Sequence, residues 1–109
     1  MVEKNSQVSE LSKKNFNEFI KSGKVLIDFY ADWCMPCIMM APILEETSSK
    51  FKGKVKFGKI NTEDYPELAQ KFDIVSIPNF ILFEEGKPKE QIIGSMTAEE
   101  FEKKLNGFV

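Results

Sequence analysis

The sequence predicts an α/β fold, with a central mixed sheet of about five strands flanked by about four helices. Two observations carry this prediction. Strand-like apolar segments alternate with amphipathic helical segments along most of the chain, and a short turn near Gly86 joins the last two strand-like segments. Alternation with helices requires parallel crossovers, whereas a short turn joins an antiparallel pair. At 109 residues, the chain is expected to form a single domain spanning residues 1–109.

The first strand and helix have the weakest signals. Residues 6–11 indicate a short strand, and Ser12 is a candidate N-cap for a helix that reaches about Ser22 and ends at Gly23. The apolar face of this helix consists of residues at i, i+3 and i+4, namely Phe16, Phe19 and Ile20. The spacing therefore predicts a short amphipathic helix after the first strand.

The central strand is predicted at Val25–Ala31, where six of the seven residues are apolar. A helix follows to about Phe51, and Pro42 inside it removes one backbone donor, which predicts a kink. Gly53 then interrupts the pattern before Val55–Ile60, which alternates like a strand.

The second half begins with Asp64 and Glu67, whose spacing predicts a capping box at the start of a helix. That helix carries Leu68, Ala69 and Phe72. An apolar strand after Pro78 runs to about Phe83, and residues 85–88 form the predicted turn.

The returning strand is predicted at residues 91–94. A second capping box, formed by Thr97 and Glu100, predicts the start of the last helix. In that helix Phe101 and Leu105 are expected to face the core.

Composition excludes several classes of function. The net charge is −2 and the lysines are spread among acidic residues, so we expect no nucleic-acid partner. Arginine is absent, which argues against bidentate recognition of phosphate. Histidine is also absent, so no Ser-His or Cys-His dyad, no His-ligated metal and no His proton shuttle can form. We expect neither a metal nor another bound cofactor.

No segment approaches the length of a membrane span, and the N-terminal residues lack the apolar core of a signal peptide. We therefore expect a cytoplasmic protein with no membrane partner. We also expect a monomer, because the sequence shows no conspicuous apolar surface beyond the region around the cysteines. In the cytoplasm, a cysteine pair is usually catalytic or metal-binding rather than a permanent disulfide.

Two cysteines, Cys34 and Cys37, lie where the central strand ends and the next helix begins. Free N–H groups and the positive end of the helix dipole favour a thiolate at this point. A permanent disulfide would contribute only about 2 kcal/mol because the loop is so short. A zinc site normally needs four ligands, and the chain has no further Cys or His. The C-x-x-C spacing beside a βαβ pattern therefore indicates thiol–disulfide redox chemistry.

Of the two cysteines, Cys34 is expected to be the nucleophile. It follows the turn and lies nearer the helix N-terminus, so its sulfur should be the more exposed and have the lower pKa. Cys37, one turn into the helix under apolar cover, is the expected resolving thiol. The predicted steps are attack by Cys34 on a target disulfide, a mixed disulfide, and attack by Cys37 on the Cys34 sulfur.

Asp28 is unusual within its strand. Its neighbours leave neither face of the strand polar, so the carboxyl group is expected to be buried and its pKa raised. A carboxyl group of this kind often marks a functional site.

The segment from Val25 to Cys37, with Ala41-Pro42, Lys59-Ile60-Asn61, Ile77-Pro78, Phe83, Gly86 and Gly94, closely resembles the thioredoxin family. The likeness extends from about Phe16 to Leu105. It implies the thioredoxin fold, a protein-disulfide reductase that carries electrons, and recharging by a thioredoxin reductase.

The resemblance also implies residue roles. Asp28 would take the proton of Cys37, with Lys59 as its charge partner, and the Ile77-Pro78 bond would be cis. A flat apolar docking surface for protein disulfide substrates would surround the cysteines, formed by Trp33, Met35, Pro36, Ile77, Pro78, Gly94 and Ser95.

The site departs from the family at Met35, where glycine is usual, and at Ile38, where lysine is frequent. Pro36 is retained, which favours a reducing protein. Two alternatives remain open: a disulfide oxidase or isomerase, and a non-catalytic interaction module with the same fold.

Overall fold

The structure is a computed structural model that describes residues 7–109, in which the chain forms five strands and four helices. The strands are β1 (Val8–Glu10), β2 (Lys24–Tyr30), β3 (Lys56–Asn61), β4 (Asn79–Glu84) and β5 (Lys87–Ile93). The helices are α1 (Phe16–Ile20), α2 (Met35–Lys50), α3 (Pro66–Lys71) and α4 (Ala98–Phe108). The predicted fold class is confirmed; residue 6, at the start of the predicted first strand, lies outside the described residues.

The strands form one mixed sheet in the order β1-β3-β2-β4-β5. β3 runs parallel to both β1 and β2, while β4 is antiparallel to both β2 and β5. β2 is therefore the central strand, and its C-terminal end points to the segment that carries the two cysteines.

Side chains on β2 alternate between two apolar cores. One core, on the α1 and α3 side, contains Val25, Ile27 and Phe29 with Phe16 and Leu68. The other contains Leu26 with residues of α2 and α4: Met40, Leu44, Phe101 and Leu105. Full burial of one such side chain stabilises the fold by about 1.5–3 kcal/mol. A one-residue slip would exchange the two faces, so this alternation fixes the register of β2.

Helix α1 begins later and ends earlier than predicted. The side chain of Asn15 accepts a hydrogen bond from the Ser12 amide at 2.8 Å. The Ser12 carbonyl accepts from the amides of Asn15 and Phe16, which closes a turn before the helix. Ser12 is therefore not the N-cap: Asn15 holds that position and the helix starts at Phe16.

The predicted capping box at Asp64 and Glu67 is wrong. Helix α3 has Tyr65 at the N-cap with no side-chain capping bond, and Pro66 is its first residue. Proline fixes φ and needs no hydrogen-bond acceptor at this position, so it determines the start of the helix. The Asn61 side chain instead accepts from the Glu63 amide at 2.9 Å.

The hairpin between β4 and β5 is tighter than predicted. Only Glu85 and Gly86 connect the strands, and both have positive φ, 51° and 84°. Positive φ at both positions is typical of the type I′ turn, whose twist suits a two-residue hairpin. β5 consequently begins at Lys87 rather than at Gln91.

The capping box at the start of α4 is confirmed. The Thr97 hydroxyl accepts from the Glu100 amide at 3.1 Å, and the Glu100 carboxylate accepts from the Thr97 amide at 3.4 Å. Phe101 and Leu105 are fully buried, as predicted. Pro42 lies inside α2, and the kink expected there stays a prediction. Among the helices in residues 7–109, none combines the length and the apolar character that a membrane span requires.

Candidate active site

The cysteine pair lies at the junction between β2 and α2. After β2 ends at Tyr30, a turn brings the Cys34 amide to within 3.2 Å of the Ala31 carbonyl. Cys34 is the N-cap of α2, and Pro36 occupies the first turn, where a missing N–H costs nothing. The predicted strand-end, helix-start location is confirmed.

Cys34 and Cys37 are joined by a disulfide, with their Cα atoms 5.2 Å apart. The Cys37 amide also points at the first sulfur, with 3.2 Å between its nitrogen and the Cys34 Sγ. One of the unpaired N–H groups at the start of α2 is thereby directed at sulfur. A donor in that position, together with the helix dipole, favours negative charge on Cys34.

The prediction that Cys34 is the more exposed cysteine is wrong for this disulfide-bonded form. Cys34 is 3% exposed and Cys37 is 4% exposed, so the two are buried equally. The reason is tertiary packing: both pack in one cluster with Ala31, against which Tyr30 and Ile77 also pack. Exposure therefore does not distinguish the two sulfurs, whereas their positions relative to the start of α2 do.

The apolar side chains next to the disulfide point outward. Trp33 is 70% exposed and Met35 is 64% exposed, although both are large and apolar. Ile38 and Met39, further along α2, are exposed as well. Trp33 and Ile77 line a shared hollow of about 320 Å³. Trp33 and Met35 belong to the docking surface that the resemblance implies, and both are exposed at the start of α2 as that surface requires.

The Ile77-Pro78 peptide bond is cis, as predicted. The Ile77 carbonyl oxygen lies 3.9 Å from the Cys34 Sγ, so this loop faces the disulfide directly. The Gly94 amide donates to the Pro78 carbonyl at 2.9 Å, which joins the loop to the end of β5. Pro78 itself is buried, so it adds little exposed area to the predicted docking surface, while Ser95 is exposed beside Gly94.

Asp28 is buried, as predicted, on the α2 side of β2. It is 4% exposed, and its Oδ1 atom has no hydrogen-bond partner within residues 7–109. Burial raises the pKa of this carboxyl group to about 7, while the positive charge of Lys59 opposes the rise. Asp28 and Cys37 line the same cavity of about 170 Å³, which has room for water.

Lys59 occupies a position between two carboxylates. It is the register partner of Asp28 across the β2–β3 pair and of Glu10 across the β1–β3 pair. Its Nζ lies 3.8 Å from Glu10 Oε1, so its direct ion pair is with Glu10. The Oη of Tyr30 lies 2.8 and 2.7 Å from the two Glu10 carboxylate oxygens, so its hydroxyl donates to that carboxylate.

Sequence reasoning missed Glu10 and Tyr30. The period-2 alternation of β2 could have placed Tyr30 on the same face as Asp28. Glu10 had no comparable signal, because its strand has only three residues and its register with β3 is not visible in the sequence. Within the described part of the chain, no group of three or more Cys, Asp or Glu residues is placed to hold a metal ion.

Comparison with known proteins agrees with this geometry. The sequence model of the thioredoxin family matches residues 7–107. Among curated relatives, the thioredoxin of Alicyclobacillus acidocaldarius subsp. acidocaldarius is 45% identical over 96 residues, covering 87% of this chain and 91% of the relative. The thioredoxin of Staphylococcus haemolyticus (strain JCSC1435) is 40% identical over 87 residues, covering 80% of this chain and 84% of the relative.

A plant relative is also similar. Thioredoxin Y1, chloroplastic, from Arabidopsis thaliana is 44% identical over 96 residues, covering 84% of this chain and 56% of the relative. Similarity therefore reaches both bacterial and chloroplast proteins.

Proposed function

The chain belongs to the thioredoxin family and is a protein-disulfide reductase that acts by dithiol–disulfide exchange, and on that premise we propose a role for each site residue. The observation that carries the proposal is the disulfide between Cys34 and Cys37 at the start of α2. Because these are the only cysteines in the chain, both exchange steps must use them.

Cys34 is the nucleophile. In the reduced protein its thiolate attacks one sulfur of a target disulfide, the target disulfide breaks, and a mixed disulfide forms between Cys34 and the target. The departing target sulfur leaves as a thiolate. The support for this assignment is the Cys37 amide, which is directed at the Cys34 sulfur and stabilises its anion.

Cys37 is the resolving thiol. Its thiolate attacks the Cys34 sulfur, the bond to the target breaks, and the Cys34–Cys37 disulfide forms as the second target sulfur leaves. Two electrons pass to the target, which leaves reduced. The 5.2 Å separation between the Cα atoms is within the range that a disulfide spans without backbone movement.

Asp28 accepts the proton that Cys37 must lose before it attacks, through water in the shared cavity. Lys59 is its charge partner at longer range, because its positive charge lowers the pKa of Asp28 while its direct ion pair is with Glu10. A general base is most effective when its pKa lies near the working pH, and burial raises the pKa of Asp28 to about 7. The carboxyl group lacks a hydrogen-bond partner on Oδ1 within residues 7–109, so that oxygen is available for a proton.

Protein targets dock on the surface that borders the disulfide, formed by Trp33, Met35, Pro36, Ile77, Pro78, Gly94 and Ser95. Since Cys34 is only 3% exposed, exchange requires close approach of a complementary surface. Large exposed apolar side chains provide contact area for that approach. Selection of targets therefore depends on these side chains as well as on sulfur chemistry.

The partners that follow are proteins with accessible disulfides and a thioredoxin reductase that returns the pair to the dithiol form. The redox-active disulfide is the sole redox group in this scheme, so no bound cofactor is needed. We further propose that the chain works as one domain and a monomer in the cytoplasm, as an electron carrier without nucleic-acid or membrane partners.

Trapping the mixed disulfide tests these assignments. The variant Cys37→Ser cannot resolve the mixed disulfide and should accumulate a covalent complex with a disulfide-bonded protein such as insulin. The matched variant Cys34→Ser leaves Cys37 as the lone thiol and should accumulate little complex. Equal trapping by both variants, or trapping by Cys34→Ser alone, would refute the assignment of Cys34 as the nucleophile.

A further inference from the structure

Three charged residues lie in one row across three neighbouring strands. Lys59 on β3 is the register partner of Glu10 on β1 and of Asp28 on β2. Register partners project from the same face of a sheet, so both carboxylates compete for one ammonium group. The competition is settled toward Glu10, whose Oε1 lies 3.8 Å from Lys59 Nζ, while Asp28 Oδ1 has no hydrogen-bond partner within residues 7–109.

Tyr30 fixes Glu10 in this arrangement. Its hydroxyl donates to the Glu10 carboxylate at 2.7–2.8 Å, and its ring centroid lies 5.5 Å from Lys59 Nζ. A hydrogen bond to a charged acceptor is about twice as strong as one between neutral groups. The pKa of Tyr30 is raised by burial and by this bond, so the hydroxyl stays a donor at any pH at which the protein works.

We propose that Glu10, anchored by the Tyr30 hydroxyl, is a positioning residue that holds the Lys59 ammonium away from Asp28 and so preserves the ability of Asp28 to accept a proton. The inference rests on the proposed role of Asp28 as the base for Cys37. It adds to that role an arrangement that keeps the buried Asp28 carboxylate from forming a direct ion pair with Lys59, its register partner on β3.

The other groups around Asp28 do not supply this effect. The cavity beside Asp28 is also lined by Tyr30, Asp32 and Cys37, and by Glu45 of α2. Among the residues of 7–109 that line that cavity, Lys59 is the only cation. The position of the Lys59 ammonium group therefore determines how close a positive charge lies to Asp28.

Glu10 can act on Asp28 in two ways. Strands in a sheet lie about 4.8 Å apart, so the backbones of Glu10 and Asp28, two strands apart, are separated by about 10 Å, whereas Lys59 is one strand from each carboxylate. Repulsion between Glu10 and Asp28 raises the pKa of Asp28 directly. The hold of Glu10 on Lys59 acts in the same direction, and a variant without Lys59 separates the two effects.

The test is a titration of the Asp28 side-chain carboxyl group, followed by ¹³C NMR of its carboxyl carbon. The oxidised protein is used because neither cysteine titrates in it. Glu10→Gln keeps an oxygen that can accept from Tyr30 but removes the charge that holds Lys59. The Asp28 midpoint should shift to lower pH. Glu90→Gln, at an exposed carboxylate on the edge strand β5, removes the same charge elsewhere and should leave the midpoint in place.

A second pair of variants tests the route. Lys59→Met should raise the Asp28 midpoint, and adding Glu10→Gln to it should then lower the midpoint much less than in the unaltered chain. The proposal is overturned if Glu10→Gln shifts the midpoint no more than Glu90→Gln does. It is also overturned if the shift is undiminished in the Lys59→Met background, because Glu10 would then act directly.

The proposed function is tested separately by the pH profile of insulin reduction. If the Asp28 midpoint shifts in Glu10→Gln and the pH profile follows it, the base role and the positioning role both stand. If the midpoint shifts while the pH profile does not, Asp28 is not the base, yet Glu10 still positions Lys59.

Discussion

The backbone amide of Cys37 lies 3.2 Å from the sulfur of Cys34, which makes the second cysteine a hydrogen-bond donor to the first. The contact follows from the fold, because a residue three positions after the N-cap normally turns its amide toward the capping side chain. Here the cap is a sulfur rather than a hydroxyl or carboxylate. We therefore expect the interaction that starts the helix also to stabilise the Cys34 anion that the proposed exchange needs.

Replacement of Asp28 by asparagine is expected to change the pH dependence of stability. Burial raises the pKa of Asp28 from 3.8 to about 7, so the folded state binds its proton more tightly than the unfolded state does. Stability of the unaltered protein must then fall as pH rises from about 4 to about 7. One pKa unit is worth about 1.4 kcal/mol, so the loss attributable to Asp28 is at most about 4 kcal/mol.

A neutral side-chain amide at this position does not ionise, so the free energy of unfolding of Asp28→Asn should lack this fall. The stability of the variant relative to the unaltered protein should therefore increase through this pH range, and the variant should be the more stable of the two above pH 7. Urea denaturation at a series of pH values measures the difference. Parallel stability curves for the two proteins would mean that Asp28 does not titrate with a raised pKa. The same variant should reduce insulin more slowly, with an altered pH profile.

Gly58 is expected to tolerate no larger side chain. A Cβ atom there would lie 2.8 Å from Phe19 Cε2, 3.0 Å from Leu11 Cδ1 and 3.2 Å from Ile27 Cδ1. Such overpacking costs roughly 1–3 kcal/mol, so Gly58→Ala should lower the free energy of unfolding by that amount. The matched control is Gly107→Ala in α4, where the added Cβ would meet no atom of residues 7–109 within 4 Å apart from its chain neighbours and the backbone of its own helix.

Because the helix propensity of alanine is higher than that of glycine, Gly107→Ala should leave the free energy of unfolding unchanged or raise it by up to about 1 kcal/mol. Chemical denaturation of both variants measures the difference. Equal stability of the two variants would show that the side chains of Phe19, Leu11 and Ile27 can move to relieve the contact at Gly58.

Trp33 is expected to contribute to docking and little to stability, because it is 70% exposed. Trp33→Ala should lower kcat/KM for reduction of insulin by roughly five- to thirtyfold, which corresponds to about 1–2 kcal/mol of binding energy. The free energy of unfolding should change by less than about 0.5 kcal/mol.

Two controls separate docking from chemistry. Val109→Ala removes an exposed apolar side chain that follows α4, outside the predicted docking surface, and should leave insulin reduction unaltered. Reduction of a small disulfide, which needs no extended surface, should be equally fast in Trp33→Ala and in the unaltered protein. A loss of rate with the small disulfide would assign Trp33 to the chemical step.

The parts of the fold that the sequence predicted correctly have strong local causes. Thr97 and Glu100 form their capping box within four residues, and the cysteine pair sits at an abrupt change from strand to helix pattern. Where two local signals competed, the prediction chose the wrong one. The N-cap of α1 is Asn15 rather than Ser12. Helix α3 begins at Pro66, without the capping box that was predicted from Asp64.

Features that depend on tertiary packing could not be predicted from the sequence. Burial of Cys34 results from the cluster around Ala31 and the approach of the Ile77 loop, which lies more than forty residues away in the chain. The ion pair between Lys59 and Glu10 depends on the register of two parallel strands, which no periodicity specifies. The family resemblance implied only the charge partnership between Lys59 and Asp28, and the direct ion pair of Lys59 with Glu10 is an addition that the structure makes.

The measurement that tests the central claim most directly is the rate of alkylation of each cysteine in the reduced protein as a function of pH. A thiolate stabilised at the start of α2 should react first, so Cys34 should be alkylated with a midpoint well below about 8.5, the value for free cysteine, and Cys37 with a higher one. If both thiols instead react with midpoints near that of free cysteine, the start of α2 does not activate Cys34 and the proposed mechanism is contradicted.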